Sequence, residues 1–153
     1  MHEYGRAAMR SALYTITQAI WGFPQTALGG VLFLAHARKP HFRYHSAVVT
    51  TWKSPKAVSL GLFIFLPEMH NPTASKSNLD DKLLAHEYGH TIQSLILGPL
   101  YLPIVGLPSL LWLNVPACTR YRQRTGVSYY AFYTEHLANR LGELVLKEET
   151  PTR

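Results

Sequence analysis

The chain is poor in cysteine: Cys118 is the only one among 153 residues. A single cysteine excludes an internal disulfide framework and suits a reducing compartment without deciding the compartment. CxxC pairs, internal repeats, low-complexity tracts and a phosphate-binding GxxxxGK loop are also missing. These absences exclude a cysteine-based zinc knot and give no sign of a P-loop nucleotide site. The length is that of one domain, so we expect residues 1–153 to fold as a single unit.

Charged residues are missing from two long stretches, Ser11 to Ala37 and Thr91 to Thr119. In the first, the sequence Trp-Gly-Phe-Pro at 21–24 predicts a break between two helices, at about 6–20 and 24–38. The second contains six glycines and prolines, and we expect no simple transmembrane helix there, because broken backbone in lipid leaves polar groups unpaired. It predicts a short hydrophobic loop or hairpin, which is either a packing lid or a contact surface for a membrane or a protein partner.

The N-terminus lacks a Lys/Arg-led hydrophobic run with a cleavage site, so we expect no signal peptide and favour a cytoplasmic or membrane-associated location. The net charge of +6 is partly concentrated between His36 and His45, where basic and aromatic residues interleave. Such a segment can contact anionic lipid or nucleic acid, but more often it is a solvated entry to a strand. Because no recognised nucleic-acid-binding module accompanies it, nucleic-acid binding is not favoured.

Residues 86–90 read HEYGH, an HExxH motif. Residues four apart on an α-helix lie on the same face about one turn apart, so His86 and His90 can hold one metal ion. Glu87 lies beside them and is placed to act as the general base for a zinc-activated water. The motif therefore predicts a Zn²⁺ site with Glu87 as a catalytic residue.

The residues around the motif predict a helix near 79–97. Asp80 and Asp81 place negative charge in its first turn, where the helix dipole favours it, and Gly98-Pro99 marks its end. Between these signals an apolar stripe can bury one face of the helix while the ligands lie on another; it consists of Leu84, Tyr88, Ile92 and Leu95.

A tetrahedral zinc site needs a third protein ligand, and no Asp, Glu or His occurs between His90 and Glu135. Glu135 begins a second predicted helix with an apolar face at Leu137, Leu141 and Leu144, and is the candidate ligand. Asn139 lies one turn further on, where it can hydrogen-bond the outer nitrogen of a zinc-bound histidine. Gly142, another turn on, would allow close approach between helices.

Upstream, two segments rich in Val, Thr and aromatic residues predict strands, Tyr44 to Trp52 and Ala57 to Leu66. The turn-forming sequence Lys-Ser-Pro-Lys at 53–56 separates them. We therefore expect a β-hairpin before the metal-site helix. The second strand is apolar enough to be a buried core strand, although one strand can both fill the core and contact a substrate.

The HExxH motif, followed by a helix with a Glu and a polar residue four positions later, resembles the gluzincin metallopeptidases of the thermolysin type, particularly the minigluzincins. Residues 57–146, with HEYGHTIQSLILGPLYLPIVGLPSL and FYTEHLANRLG, are most similar to the HExxH domain at the C-terminal ends of some bacterial Rhs-repeat proteins. The resemblance implies zinc ligands His86, His90 and Glu135 and the base Glu87. It also implies a cleft-lining strand that pairs with extended substrate, formed by Gly61, Leu62, Phe63, Ile64 and Phe65.

The chain departs from that pattern at two places. Asn139 stands where the thermolysin-type pattern has Asp, and the later His or Tyr that stabilises the transition state has no clear match. Tyr129, Tyr130 and Tyr133 are the candidate substitutes, although tyrosines beside a helix start more often pack the core.

These observations predict an α+β, zincin-like domain. It would have an N-terminal helical part at 1–43 and, at 44–147, a β-hairpin or small sheet and the metal-site helices. The predicted function is a zinc-dependent metallopeptidase acting on a peptide or protein. The alternative is a zinc-binding structural or interaction module with little or no catalysis, which could associate with a membrane. The lack of a clear match to the transition-state donor favours it. A toxin-like effector would follow only from the Rhs resemblance and is compatible with the peptidase.

Overall fold

The computed structural model describes residues 2–68 and 78–151, without the side chains of residues 2–7, 78 and 79. The predicted α+β class is confirmed. Its longer elements are α1 (His2–Ile20), α2 (Phe23–Ala35), β1 (His41–Tyr44), β2 (Ala47–Trp52), β3 (Val58–Leu60), β4 (Phe63–Pro67), α3 (Asn78–Leu97), α4 (Leu107–Asn114), α5 (Pro116–Thr125) and α6 (Tyr133–Leu146). Short 3₁₀ turns lie at Gly98–Leu100 and Tyr129–Ala131, and a π-helical turn at Leu102–Gly106.

The four strands form one mixed sheet in the order β1-β2-β4-β3. A small sheet is therefore confirmed, whereas the predicted hairpin pairing of 44–52 with 57–66 is wrong, because β2 and β4 are parallel, with Val48 opposite Phe63. The predicted strand 57–66 is instead the hairpin of β3 with β4, and the predicted strand 44–52 corresponds mainly to β2, which forms a hairpin with β1 just before it. The turns contain His45 and Gly61, both with positive φ. At Gly61 a Cβ would also overlap Thr26, so glycine is required there.

The core lies between this sheet and the helices. Ile64, Phe65 and Leu66 of β4 are completely buried, which confirms the interpretation of that segment as a core strand. Leu84 and Tyr88 of α3 belong to the same core cluster, with Leu95 and Ile92 packed against it. The apolar stripe predicted for α3 is therefore the face that this helix buries. At roughly 25 cal/mol per Å² of apolar surface, such burial is the main force that holds α3 against the sheet.

The helices broadly follow their predicted bounds. α3 confirms the helix expected near 79–97, and Pro24 lies in the first turn of α2, where its missing N–H costs no hydrogen bond. The stretch 91–119 is more helical than expected, and Cys118 lies within α5. Among the described residues no single helix has the length and hydropathy to cross a membrane. One pair of described helices, Asp80–Leu100 and Leu102–Asn114, meets both criteria when taken together, and the two are bent by 120° relative to each other.

Helices α3 and α6 run antiparallel and approach closely through two glycines. A Cβ at Gly89 would overlap the carbonyl of Ala138, and one at Gly142 would overlap the carbonyl of Ala85. The buried face of α6 is consequently made of small and polar residues, namely Thr134, Glu135, Ala138, Asn139 and Gly142. The apolar face predicted at Leu137, Leu141 and Leu144 is not the buried one: Leu137 and Leu144 are exposed.

Candidate metal centre

His86 and His90 of α3 and Glu135 of α6 meet where these helices are closest. One ligand atom from each of the three lies within 4.8 Å of the others. The Oε2 atom of Glu135 is 3.2 Å from Nε2 of His86 and 3.4 Å from Nε2 of His90. All three side chains are buried, so their polar atoms need one another, a proton or a cation as partner. The structure thus brings together the three residues that the sequence predicted as ligands, and they can hold a metal ion.

Each histidine is oriented through its other ring nitrogen. Nδ1 of His86 lies 2.6 Å from Oδ1 of Asn139, and Nδ1 of His90 lies 2.7 Å from Oε1 of Gln93. Because an amide oxygen only accepts, each Nδ1 carries the proton and each Nε2 is directed at Glu135. The predicted contact of Asn139 is present. Gln93 was missed, although a polar residue three positions after His90 on a helix is a readable signal.

The amides of these two residues are fixed in turn by the backbone. Asn139 donates through Nδ2 to the carbonyl of Pro151, at 2.7 Å, and Gln93 donates through Nε2 to the carbonyl of Thr134, at 2.8 Å. Both amides are buried, and these bonds fix which end of each amide faces its histidine. The ring positions are therefore set by a network that reaches from α3 through α6 to the C-terminal segment.

The Glu135 carboxylate is held as an anion. Burial opposes its ionisation, but hydrogen bonds from His86 and His90 and their charges hold its pKa well below the usual range. Its second oxygen, Oε1, accepts from Ser109 at 2.5 Å and from Thr134 at 3.0 Å. For His90, burial alone would lower the pKa, whereas the hydrogen bond to Glu135 and the charges of Glu135 and Glu87 raise the pKa to about 9. A cation bound here would replace that proton.

Glu87 is buried beside the ligands, and a residue of the sheet fixes its carboxylate. Oγ of Ser59 lies 2.6 Å from Oε2 of Glu87 and 3.0 Å from its backbone carbonyl. A serine hydroxyl has one proton, and the shorter contact makes the carboxylate its acceptor. Ser59 lies on β3, so the position of the Glu87 carboxylate depends on the edge of the sheet. The sequence carried no signal for this contact, because Ser59 lies on a strand and outside the helical spacing of the motif.

A cavity of about 810 Å³ opens onto His86, Glu87, His90 and Glu135. This volume is in the range of small-molecule and peptide-side-chain sites. Its wall is mostly apolar, with contributions from α2, α4 and the segment 101–107, and all three residues of β3 line it.

The expectation that 61–65 forms the substrate-facing strand is wrong. Gly61 and Leu62 form the turn, and Phe63, Ile64 and Phe65 lie in β4, an interior strand paired on both sides. Among the described strands, the edge that faces the cavity is β3. The error follows from the missed turn at Gly61, which divides one predicted strand into two.

The candidate tyrosines separate into two groups. Tyr129 and Tyr130 line the cavity, whereas Tyr133 does not: its hydroxyl donates to the carbonyl of Ile104 and its side chain is half exposed. The Tyr130 ring lies edge-on to His86, with ring centroids 5.1 Å apart. Burial, followed by the charges of Glu87 and Glu135, raises the pKa of Tyr130 to about 12. Burial and the charge of Glu135 also raise the pKa of Tyr129, so both hydroxyls stay protonated and can donate hydrogen bonds.

Tyr101 is a further cavity residue that the sequence did not single out. It is almost completely buried, and its hydroxyl donates to the backbone carbonyl of Ser59 at 3.1 Å. The uncharged segment after α3 therefore contacts the same β3 residue that holds Glu87. Ser109 of α4 donates a hydrogen bond to Glu135. The residues after α3 therefore contact both the strand that positions Glu87 and the ligand Glu135.

The donor set fits a metal ion. Two imidazoles and one carboxylate are ordinary ligands of a divalent metal ion, both imidazoles have fixed outer partners, and the cavity leaves room for a further ligand. No cysteine takes part, and Cys118 lies in α5. In comparisons with known proteins, no family model, curated protein or solved structure matches this chain.

Proposed function

We propose that this protein is a zinc-dependent metallopeptidase of gluzincin-like design. The observation that carries the proposal is the juxtaposition of a buried His86-His90-Glu135 ligand set and a second carboxylate, Glu87, at one cavity. A site that only stabilised the fold would need the three ligands and a fourth to close it. Glu87 adds a proton acceptor where a water molecule can enter, and that is what hydrolysis requires.

Zinc is the metal that this donor set favours. Nitrogen and carboxylate donors in a three-ligand arrangement with an open position are typical of catalytic zinc, whereas magnesium and calcium prefer oxygen donors alone. When bound, zinc would supply a Lewis acid and lower the pKa of a coordinated water to about 7.

The protein side chains would do the remaining work. Glu87, positioned by Ser59, would take the proton of the attacking water and pass it to the leaving amine nitrogen of the scissile peptide. Tyr129 and Tyr130 are protonated donors on the cavity wall and would stabilise the oxygen on which negative charge develops. The edge of β3 would align an extended substrate, and the apolar wall would accept its hydrophobic side chains.

The test has two parts. Metal content per chain, measured by plasma mass spectrometry, should be close to one zinc for the wild type and should fall sharply for Glu135→Ala. Cleavage of a mixture of unstructured peptides, followed by mass spectrometry, should be present in the wild type and lost in Glu87→Gln, with zinc content unchanged. Zinc binding with equal cleavage by Glu87→Gln would refute the assigned base. A wild type that binds no zinc would refute the proposal as a whole.

A zinc-binding interaction module without catalysis is the second candidate. It is favoured by the contact of Tyr101 with Ser59, which occupies a backbone acceptor at the edge that a substrate would use. In that case zinc would bind to the wild type, Glu135→Ala would lose it, and no peptide in the mixture would be cut. The same two measurements therefore separate the candidates.

A further inference from the structure

A set of large apolar side chains is exposed on one part of the molecule. On α1, Met9, Leu13, Ile16 and Ile20 are spaced as one helical stripe. The rest lie in the turn after α1, on α2 and in the segment 100–111. We call all of them together the apolar face; the remaining members are Trp21, Phe23, Leu28, Val31, Leu34, Leu100, Ile104, Leu107, Leu110 and Leu111. Each member is between 41% and 75% exposed.

These elements are neighbours in space. The ring of Trp21 lies against Gly98 at the end of α3, and Gln25 of α2 donates to the Gly98 carbonyl. Further along, Leu28 of α2 and Leu107 of α4 line the same cavity. The apolar face therefore extends from α1 across the α1–α2 turn to the cavity that contains the metal centre. Contiguous apolar patches of this kind mark interaction surfaces in proteins.

Acidic residues are rare in the elements that supply this face; Glu68, which is paired with Lys39 beside Arg38, lies just outside them. No Asp or Glu occurs from Tyr4 to Pro67 or from Tyr88 to Thr134, the two stretches that supply it. Basic residues flank the same elements: Arg10 is exposed on α1 beside the stripe, and Arg38 is exposed just after α2. Two more, Arg120 and Arg124, are exposed on α5, immediately after α4.

Acidic side chains lie at the other end of α3. Asp80 and Asp81 occupy its first turn, and twenty residues of helix span about 30 Å. Because α6 is antiparallel to α3, Glu143 lies near the same end. Glu149 is paired with Lys82 at 2.7 Å there. Most of the described acidic side chains thus lie at one end of α3, its acidic end, whereas α1 runs alongside the helix, with Tyr14 against Tyr88 and Gln18 bonded to Thr91.

We propose that the apolar face docks on the surface of an anionic lipid bilayer, with α1 and α2 lying in the headgroup region. Apolar side chains would enter the acyl boundary while flanking arginines contact lipid phosphates. A second copy of the chain is a poorer occupant, because an isologous contact would bring the basic flanks of both copies together. Docking would bring Leu28 and Leu107, which line the cavity, to the membrane surface. This inference does not depend on catalysis.

The test is co-sedimentation of the full chain with vesicles of phosphatidylcholine alone and of phosphatidylcholine with phosphatidylserine in equal parts. We expect binding to be strongest with phosphatidylserine and to weaken with added salt. Ile20→Glu/Val31→Glu should reduce the partition coefficient by about tenfold or more for each residue. Arg10→Gln/Arg38→Gln should reduce it about fivefold for each arginine, with phosphatidylserine vesicles only.

Leu144→Glu is the matched control, because Leu144 is as exposed as Ile20, 77% against 75%, but lies at the acidic end. Circular dichroism and zinc content establish that each variant is folded. Loss of binding in Ile20→Glu/Val31→Glu but not in Leu144→Glu supports the proposal. Absence of wild-type binding to both vesicle types overturns it, and so does equal binding by all variants. A dimer in sedimentation velocity that Ile20→Glu/Val31→Glu dissociates, without vesicle binding, would assign the face to a second copy.

Discussion

The orientation of the two ligand histidines depends on side-chain amides rather than on carboxylates. Gln93 accepts from His90 and donates to the backbone of α6, so it joins the ligand ring to the helix that carries Glu135. Gln93→Leu should weaken zinc binding about tenfold to hundredfold, because the ring loses its outer partner. Competition with a chromophoric chelator measures the affinity. Gln123→Leu, on the exposed side of α5, is the control and should leave it unchanged.

Ser59 tests whether Glu87 must be positioned to act. If the proposed hydrolysis is correct, Ser59→Ala should lower kcat about tenfold to hundredfold, because a hydrogen bond to a charged group is lost. KM and zinc content should stay close to wild type, since Ser59 contacts no ligand of the metal. Ser54→Ala, in the turn before β3, should behave as wild type. If Ser59→Ala instead loses zinc, Ser59 supports the fold of the centre rather than the position of the base.

At the scale of elements, the position of α6 against α3 determines whether the ligands meet. Gly89→Ala should force the helices apart, because its Cβ would overlap the Ala138 carbonyl. We expect a loss of about 1–3 kcal/mol of unfolding free energy, together with weaker zinc binding. Gly30→Ala is the matched control: its Cβ would make an ordinary contact with Phe63, and in a helix it should add about 0.5–1 kcal/mol. Urea denaturation measures the unfolding free energy of both variants. Equal stabilities of the two would contradict the packing argument.

Local signals predicted the helices well and the sheet poorly. For α3 the acidic first turn, the apolar stripe and the ligand spacing all lie within one continuous segment, and all of them predict the same helix. The pairing of β2 with β4 is non-local and parallel, so no turn residue encodes it. The prediction that the leucines of α6 form its buried face was wrong for a related reason. Its buried face is selected by close approach at Gly89 and by the ligands, neither of which a single-helix pattern contains.

The same contrast holds for the site. His86, Glu87, His90, Glu135 and Asn139 were found from sequence because their spacing follows helical geometry. Ser59, Tyr101 and Ser109 reach the centre from a strand and from the segment after α3. Serines and tyrosines occur throughout the chain, so only the three-dimensional arrangement distinguishes these three.

For the molecule as a whole, the cavity relates the metal centre to the apolar face. His86 and His90 lie in the middle of α3, and Glu135 reaches them from α6. Leu28 and Leu107 line the cavity and also belong to the apolar face. A molecule docked through this face would therefore present its metal centre to peptide segments close to the bilayer, and zinc binding and membrane binding can be measured as separate properties.

Because the ligands come from two different helices, zinc should stabilise the whole domain. An ion that binds only the folded state, at a thousandfold excess over its Kd, adds about 4 kcal/mol. For a domain of this size that corresponds to a rise in Tm of about 10 °C. Calorimetry of chelator-treated protein, with and without zinc, measures the shift. Glu135→Gln, which keeps the side-chain shape but not the charge, should show little of it. An equal shift in that variant would mean that zinc binds elsewhere, and the assignment of the centre would then be wrong.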